Sequence, residues 1–276
     1  VEHDHVDFFA TAEDVVNVFQ NFAQTIPADG YLVYCNDDPG SRSLGESVNH
    51  CATFSYGTAP DSDLKIDQVE LTSQGSRARA IWKGTVVGHI ELQVPGHHNL
   101  LNAAGTLALG LLFDLNPAAL ISGLHSFRGA GRRFELKATV GGIRIIDDYG
   151  HHPTEISVTL EAARRYADNG RVLVIFQPHR YSRTQAFLSQ FASSLDKADE
   201  VILLEIYAAS EKPISGVSSE LIAEQMERGR YIPNFAEAAE HMVEIARPGD
   251  VILTLGAGDV NSLAPIIADG LLKRFG

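Results

Sequence analysis

The spacing of apolar residues separates an N-terminal part of mixed pattern from a C-terminal part in which strands and helices alternate regularly. Apolar side chains recur at helical spacing over residues 12–22, and an apolar strand follows at residues 31–35. Over residues 65–94 every second position becomes apolar, which predicts antiparallel strands. A helix rich in small residues is predicted over residues 97–113, and a second helix is predicted to begin after its cap at Asn116.

The C-terminal part repeats a strand followed by a helix. This order is typical of a mostly parallel, doubly wound sheet. We therefore predict an α/β chain in which residues 1–127 form a domain with antiparallel strands and residues 128–276 form a Rossmann-like domain. The apolar strands lie near Ile143, Val172, Val201 and Val251, and the helices begin near Pro153, Thr184, Ser218, Phe235 and Val260.

Two polar segments follow apolar strands of the C-terminal part. Residues 147–155 read DDYGHHPTE, and residues 176–184 read FQPHRYSRT. In open α/β sheets, ligands bind beyond the carboxyl ends of the strands. Carboxylates, imidazoles and guanidinium groups are therefore predicted to share one edge of the sheet.

The first segment has the composition of an anion-binding turn. Pro153 fits the first turn of a helix, whose N-terminus favours negative charge. Asp147 and Asp148 are suited to bind a ribose diol, a metal or an amine, and His151 to contact an anion or an ammonium group. The alternative is a capped turn with solvated acids.

The second segment places Arg180 and Arg183 three residues apart around a helix start, with Tyr181 between them. Two guanidinium groups so placed are able to converge on one carboxylate or phosphate. The alternative is a pair of solvated arginines. Because cations are disfavoured at a helix N-terminus, a bound anion is the better explanation.

Three further segments offer weaker signals. Near the chain start, His5 and Asp4 are candidate Mg²⁺ ligands, against the alternative of a polar loop. At the start of the small-residue helix, His98, Asn99 and Asn102 are suited to contact adenine, although N-capping by Asn99 explains part of the pattern. Residues 255–260 superficially resemble a dinucleotide loop but lack its third glycine, which favours close packing instead.

Composition narrows the classes of function. The 22 Lys and Arg residues against 35 Asp and Glu residues give a net charge of −13, which argues against nucleic-acid binding and anionic membranes. Two cysteines are too few for a disulfide framework, and no apolar run is long enough to span a membrane. We therefore expect a cytoplasmic protein without membrane insertion.

These motifs, taken in order, resemble the Mur ligase family of peptidoglycan synthesis, and the resemblance extends over essentially the whole chain. Its most specific parts are the DDYGHHPTE and FQPHRYSRT strings. They most resemble the branch of the family that joins L-alanine to UDP-N-acetylmuramate. The resemblance implies that residues 1–127 belong to the central, ATP-binding domain and residues 128–276 form the C-terminal, amino-acid-binding domain.

The resemblance also implies a reaction and a set of residue roles. ATP phosphorylates the muramate carboxylate, and the amine of L-alanine attacks the resulting acyl phosphate. The implied partners are ATP, Mg²⁺, UDP-N-acetylmuramate and L-alanine. The implied roles are metal binding by His5, catalytic contact with L-alanine by His151, Arg180 and Arg183, and ATP binding by His98, Asn99, Asn102, Arg133, Asp148 and Tyr149.

One family motif does not occur in this sequence. The Gly-x-x-Gly-Lys-Thr phosphate loop is missing from the 276 residues, so we expect a fragment that is inactive alone. Two alternatives remain open: the recycling ligase of the same family, which uses a murein tripeptide, and a non-catalytic module that binds a nucleotide or an amino acid.

Overall fold

The computed structural model describes residues 3, 4, 6 and 8–276. The chain divides into two compact units, Val1–Arg128 (unit 1) and Gly129–Gly276 (unit 2). Each unit has its own sheet and its own hydrophobic core.

Unit 1 is built on a five-stranded sheet in the order β1-β2-β3-β4-β5. The first three strands are parallel, and β4 and β5 extend the sheet in antiparallel fashion. The predicted antiparallel strands are thereby confirmed. The elements are α1 Ala12–Gln24, β1 Tyr31–Cys35, α2 Pro39–Ser47, β2 Ala52–Gly57, β3 Leu64–Leu71, β4 Ser76–Trp82, β5 Thr85–Leu92, α3 His97–Leu112 and α4 Pro117–Ser126.

The core of unit 1 lies between this sheet and α3. Leu100, Ala104 and Leu107 recur at helical spacing on the buried side of α3, where they join Ile66 and Ile90 of the sheet in one cluster. The following helix begins as predicted, because the Asn116 side chain accepts the Ala119 N–H at 3.1 Å. Helix α3 thus packs on the sheet through one buried side, and α4 begins at a side-chain cap.

Helix α1 forms where its pattern predicts, but most of its apolar side chains lie at the surface. Only Val15 and Ala23 are buried, whereas Phe22 is 69% exposed. Its start is well defined, since Thr11 and Asp14 form a reciprocal capping box. The local capping signal thus determines the helix more than burial does.

Unit 2 is a six-stranded sheet in the order β10-β9-β8-β11-β7-β6, parallel except for β6. The predicted doubly wound α/β class is confirmed. The elements are β6 Glu135–Val140, β7 Ile143–Asp148, α5 Pro153–Ala167, β8 Val172–Phe176, α6 Tyr181–Ala186, α7 Leu188–Leu195, β9 Glu200–Leu203, α8 Glu220–Glu224, β10 Gly229–Tyr231, α9 Phe235–Ile245, β11 Val251–Leu255 and α10 Leu263–Phe275.

Helices cover both faces of this sheet. Along β8, Val174 and Phe176 belong to a cluster with α5 and α7, whereas Leu173 and Ile175 belong to a cluster with α9 and α10. Strands buried on both faces read as continuous apolar runs, and the sequence of β8, VLVIF, has this form. Because β7, β11 and β8 are adjacent and parallel, their carboxyl ends lie side by side at one edge of the sheet.

Candidate active site

The polar segments of unit 2 meet at the carboxyl ends of adjacent parallel strands. The loops after β7, β8 and β11 all leave from this edge, and the loop after β9 lies beside them. After β7 the chain reaches α5 through a turn of residues 149–152, with His152 as the N-cap residue and Pro153 in the first turn of the helix. The expected neighbourhood of imidazoles and guanidinium groups is therefore present in the fold.

Asp147 is buried at this edge, where it binds Arg132. Its side chain is 1% exposed and accepts the Arg132 Nε–H at 3.1 Å and the Thr254 hydroxyl at 2.8 Å. The same guanidinium donates to the carbonyl oxygens of Gly256 at 2.6 Å and Gly258 at 3.1 Å. The pair thus ties the start of unit 2 to the loop after β11.

Asp148 is also buried, and its carboxylate holds the surrounding backbone. It accepts the N–H groups of Phe134 and Gly150, both at 2.8 Å, and the Thr159 hydroxyl at 3.2 Å. Burial raises the pKa of Asp148, and these three hydrogen bonds oppose the rise. Both acids therefore differ from the solvated acids of the alternative interpretation.

Tyr149 presents a ring between charged neighbours. The guanidinium carbons of Arg132 and Arg133 lie 5.0 and 5.6 Å from the ring centroid. The His151 ring meets it edge-on, with centroids 5.4 Å apart. Arg133 is more exposed than Arg132 and lies 3.6 Å from the Glu155 carboxylate. The tyrosine face is thus placed beside both a cation and an imidazole.

The geometry around His151 identifies its basic nitrogen. His151 Nδ1 lies 3.0 Å from the Tyr149 carbonyl oxygen, which is only an acceptor. In the neutral ring, Nδ1 therefore carries the proton and Nε2 the lone pair. Glu155 supports this turn by accepting the N–H groups of His151 at 3.0 Å and His152 at 3.2 Å. The turn that carries His151 is thereby held by Glu155 as well as by the Tyr149 carbonyl oxygen.

Arg183 and His179 form the buried part of the second segment. Arg183 is 2% exposed, and its Nη1 lies 3.3 Å from both the Nδ1 and the carbonyl oxygen of His179. The His179 ring stacks on Tyr207 at 5.5 Å and lies 5.8 Å from the His151 ring. Two histidines from different loops therefore approach each other beside a buried arginine.

Burial, the Arg183 charge and the nearby His151 and Arg180 lower the pKa of His179 to about 4. A guanidinium only donates, so Nδ1 of His179 is the acceptor and Nε2 carries the proton. Arg180 begins the short helix that follows, with Nη1 4.0 Å from Glu211 Oε1. The site is therefore cationic at Arg180 and Arg183 and neutral at His179.

The loop after β11 packs against Gln177. A side-chain carbon at Gly256 or Gly258 would collide with Gln177, and Gly256 also has φ +139°. Gln177 bonds to Asp259 Oδ1 at 2.8 Å and accepts the Val260 N–H at 3.1 Å. These glycines serve close packing, which was the preferred interpretation of this weak motif.

The adenine candidates of unit 1 lie in the first turns of α3. Asn102 is exposed, and Asn99 donates from Nδ2 to the Pro95 carbonyl oxygen at 2.8 Å. Gly96 is the N-cap residue without a side-chain cap, so Asn99 does not cap the helix. The His98 ring lies where a side chain at Gly96 would stand, and Gly96 has φ +105°. Since residues three or four apart share a helix side, Asn102 lies on the side of His98 and Asn99.

The predicted metal ligand, His5, lies outside the described residues. Among residues 3, 4, 6 and 8–276, no group of three or more His, Cys, Asp or Glu side chains is arranged to hold a metal. No helix in this part of the chain has the length and apolar character needed to cross a membrane.

The family models cover both units. The Mur ligase middle domain matches residues 1–110, and the model described as "Mur ligase, glutamate ligase domain" matches residues 132–258. The chain belongs to the Mur ligase family. The resemblance predicted from the two long motifs is confirmed.

Curated Mur ligase relatives extend this match. A UDP-N-acetylmuramate–L-alanine ligase from Paenarthrobacter aurescens is 43% identical over 98% of the chain and 59% of its own length. Its counterpart from Mycobacterium tuberculosis is 41% identical over 99% of the chain and 59% of its own length. The chain thus spans about three-fifths of the length of these relatives.

Solved Mur ligase structures share the fold. UDP-N-acetylmuramate–alanine ligase from Thermotoga maritima has a TM-score of 0.76 at 23% identity, over 98% of the chain and 58% of that protein. MurF ligase from the same organism has a TM-score of 0.80 at 19% identity, over 99% of the chain and 61% of that protein. At these identities the likeness concerns the fold alone.

Some residues at the carboxyl ends of the unit 2 strands have contacts that the sequence motifs do not predict. Glu155 supports the turn after β7, and its charge and its position in the first turn of α5 are the signals that could indicate this role. His179 and Glu211 have no such local signal, because the stacking of His179 on Tyr207 and the bonds from Ser182 to Glu211 join segments that are distant in sequence. Arg132 binds the Asp147 carboxylate within its own unit, a contact that its position in the sequence does not reveal.

We expect His179 to remain neutral down to about pH 5, because its pKa lies near 4. Stability that depends on the neutral ring should be present above the unfolded value of about 6.5 and be lost as the pH falls through the folded value. Nitrogen-15 NMR of the ring should show Nδ1 unprotonated and Nε2 protonated at pH 7. A titration midpoint near 6.5, or the opposite tautomer, would contradict the arrangement around Arg183.

Proposed function

We propose that the complete protein carrying this chain joins L-alanine to UDP-N-acetylmuramate at the expense of ATP, in peptidoglycan synthesis. The observation that carries the proposal is the cluster formed by Arg180, Arg183, His179 and His151 at the carboxyl edge of unit 2. The names of the curated relatives, 41–43% identical over nearly the whole chain, support the same reaction.

The cluster is suited to bind an amino acid by its two ends. Arg180 and Arg183 provide guanidinium groups for the carboxylate, and such charge-assisted bonds are the strong ones. His151 offers Nε2 as the acceptor for a proton of the ammonium group, which leaves the amine nucleophilic. The muramate carboxylate first takes the γ-phosphate of ATP to form an acyl phosphate, with release of ADP. The amine then attacks the carbonyl carbon of this acyl phosphate, the amide bond forms, and inorganic phosphate leaves.

The nucleotide contacts are assigned to both units. In unit 1, His98, Asn99 and Asn102 offer an imidazole and two amides toward adenine. In unit 2, the assigned residues are Arg133, Asp148 and Tyr149. The solved MurF ligase of similar fold was crystallised in complex with ADP, which is consistent with nucleotide binding by this fold.

The assignment of Asp148 to ATP binding must be compatible with the hydrogen bonds that its side chain already accepts. Both of its oxygens already accept hydrogen bonds from within unit 2. A carboxylate oxygen has room for more than one donor, so a ribose hydroxyl can be added without breaking these bonds.

Three further assignments belong to the proposal. Residues 1–127 are assigned to the ATP-binding domain and residues 128–276 to the amino-acid-binding domain. Mg²⁺ is assigned from the family resemblance, with His5 as its predicted ligand. The cytoplasm is the proposed location, because a ligase that consumes ATP needs the cytoplasmic nucleotide pool.

Two alternatives stand beside this proposal. The fold also matches a murein peptide ligase from Psychrobacter arcticus, with a TM-score of 0.68 at 18% identity over 94% of the chain and 54% of that protein. In that reaction the attacking amine would belong to a tripeptide, which is a larger substrate than L-alanine. A non-catalytic module that binds a nucleotide or amino acid is the other alternative.

We expect the complete protein to form UDP-N-acetylmuramoyl-L-alanine and one phosphate per product when ATP, Mg²⁺ and both substrates are present. Chromatography of labelled L-alanine measures the product, and parallel reactions replace L-alanine with the murein tripeptide. Product only from the tripeptide would favour the recycling ligase. Binding of ATP and L-alanine without any product would favour the binding module.

A further inference from the structure

The loop after β9 is paired with the segment that carries the arginines. The Tyr207 N–H donates to the Pro178 carbonyl oxygen at 2.8 Å, and the Arg180 N–H donates to the Tyr207 carbonyl oxygen at 2.8 Å. His179 and Tyr207 thereby form an isolated parallel bridge, and their rings stack. The backbone that precedes α6 is thus fixed by a loop some 30 residues later in the chain.

Arg180 has a backbone conformation that depends on such support. Its φ is +76°, a region that residues with side chains rarely adopt. Conformations of this kind persist where the surrounding contacts determine them. Helix α6 also starts without a side-chain cap from Arg180, which is its N-cap residue. The short helix therefore needs a partner from elsewhere in unit 2.

Glu211 is that partner. Ala209 and Ser210 have φ values of +46° and +74°, which turn the chain back toward α6. The Glu211 carboxylate then accepts the Ser182 N–H at 3.0 Å and the Ser182 hydroxyl at 2.6 Å. A carboxylate that accepts an N–H of the first turn acts as a helix cap. Glu211 thus supplies the missing cap from a distant loop.

The distances show which group Glu211 holds most closely. Its Oε1 lies 4.0 Å from Arg180 Nη1, at the outer limit of an ion pair, but 2.6 Å from the Ser182 hydroxyl oxygen. The side chain is 19% exposed, so these contacts are partly shielded from water. At these distances Glu211 contacts both the N–H and the hydroxyl of Ser182, the residue between Tyr181 and Arg183.

We propose that Glu211 is a positioning residue, which fixes α6 so that Arg180 and Arg183 present their guanidinium groups to the substrate carboxylate. The identity of that carboxylate as the one on L-alanine rests on the proposed function. The capping of α6 by Glu211 does not.

The first test measures capping without any ligand. In the chain of residues 1–276, Glu211→Ala should speed amide hydrogen exchange at Ser182 by about tenfold, because it removes a charge-assisted bond. Glu211→Gln keeps one acceptor oxygen and should restore most of the protection. Lys212→Ala, an exposed neighbour in the same loop, is the matched control and should leave exchange at Ser182 unchanged.

The second test measures catalysis in the complete protein. Glu211→Ala should raise the KM for L-alanine by about tenfold and change the KM for ATP by less than about twofold. Glu211→Gln should lie between this variant and the wild type, and Lys212→Ala should match the wild type.

Three results would overturn the proposal: unchanged exchange at Ser182 in Glu211→Ala, an unchanged KM for L-alanine, or equal increases in both KM values. The last result would indicate a general structural role. If the wild-type protein forms no product from L-alanine, the proposed function fails instead, and exchange at Ser182 still decides whether Glu211 caps α6.

Discussion

Arg180→Ala and Arg183→Ala should each raise the KM for L-alanine by about ten- to a hundredfold in the complete protein. Each substitution removes a charge-assisted contact with the carboxylate, worth about 1.5–3 kcal/mol. The KM for ATP should change by less than about twofold, because neither residue is assigned to the nucleotide. Initial-rate measurements with each substrate varied in turn check this difference.

Two control variants separate binding from folding. Arg164→Ala removes an arginine of the same unit that pairs with Asp199 at the amino end of β9, away from the proposed site. It should leave both KM values unchanged. Arg180→Lys keeps the charge but loses the planar fork, so its KM for L-alanine should be intermediate. Equal losses for both substrates in the alanine variants would indicate a structural role for these arginines.

Arg132→Ala should lower the free energy of unfolding of unit 2 by about 3–5 kcal/mol, because it leaves the buried Asp147 carboxylate without its cation. It also removes the donors for the Gly256 and Gly258 carbonyl oxygens. Urea unfolding of the chain of residues 1–276, followed by far-ultraviolet circular dichroism, measures the change.

Arg133→Ala is the matched control for stability. Arg133 lies beside the same Tyr149 ring but is 55% exposed, and its ion pair with Glu155 is long, at 3.6 Å. Its loss should cost less than about 1 kcal/mol. Arg132→Ala combined with Asp147→Asn should recover part of the stability, since the uncompensated charge is then removed. A loss for Arg132→Ala no larger than that for Arg133→Ala would show that the pair does not anchor unit 2.

Much of the fold follows from local patterns. The apolar run of β8 and the proline and N-cap residues at the start of α5 place a strand and a helix without reference to the rest of the chain. Strands β6 and β10 are harder to predict. Strand β10 has only three residues, and four of the six positions in β6 are exposed or carry charge. Their pairing partners, rather than their own sequences, make them strands.

The surroundings of the polar residues in the candidate site are also difficult to predict from the sequence. Sequence spacing brings Asp147 and Asp148 to a strand end, but it does not reveal that both side chains are buried. That outcome depends on Arg132 and on the backbone N–H of Phe134, which both come from the segment before β6. The role of Glu211 depends in the same way on a loop that is distant in sequence. Contacts of this kind have no periodicity for a pattern to detect.

The antiparallel strand β6 has a further consequence for the site. Because β6 covers the outer side of β7, the strands β7, β11 and β8 that carry most of the candidate residues are all interior strands. Proteins open locally first where few contacts hold them, and the ends of a sheet are such places. Fraying of unit 2 should therefore begin at β6 or β10. The spacing of the candidate groups after β7, β11 and β8 would then outlast the loss of either border strand.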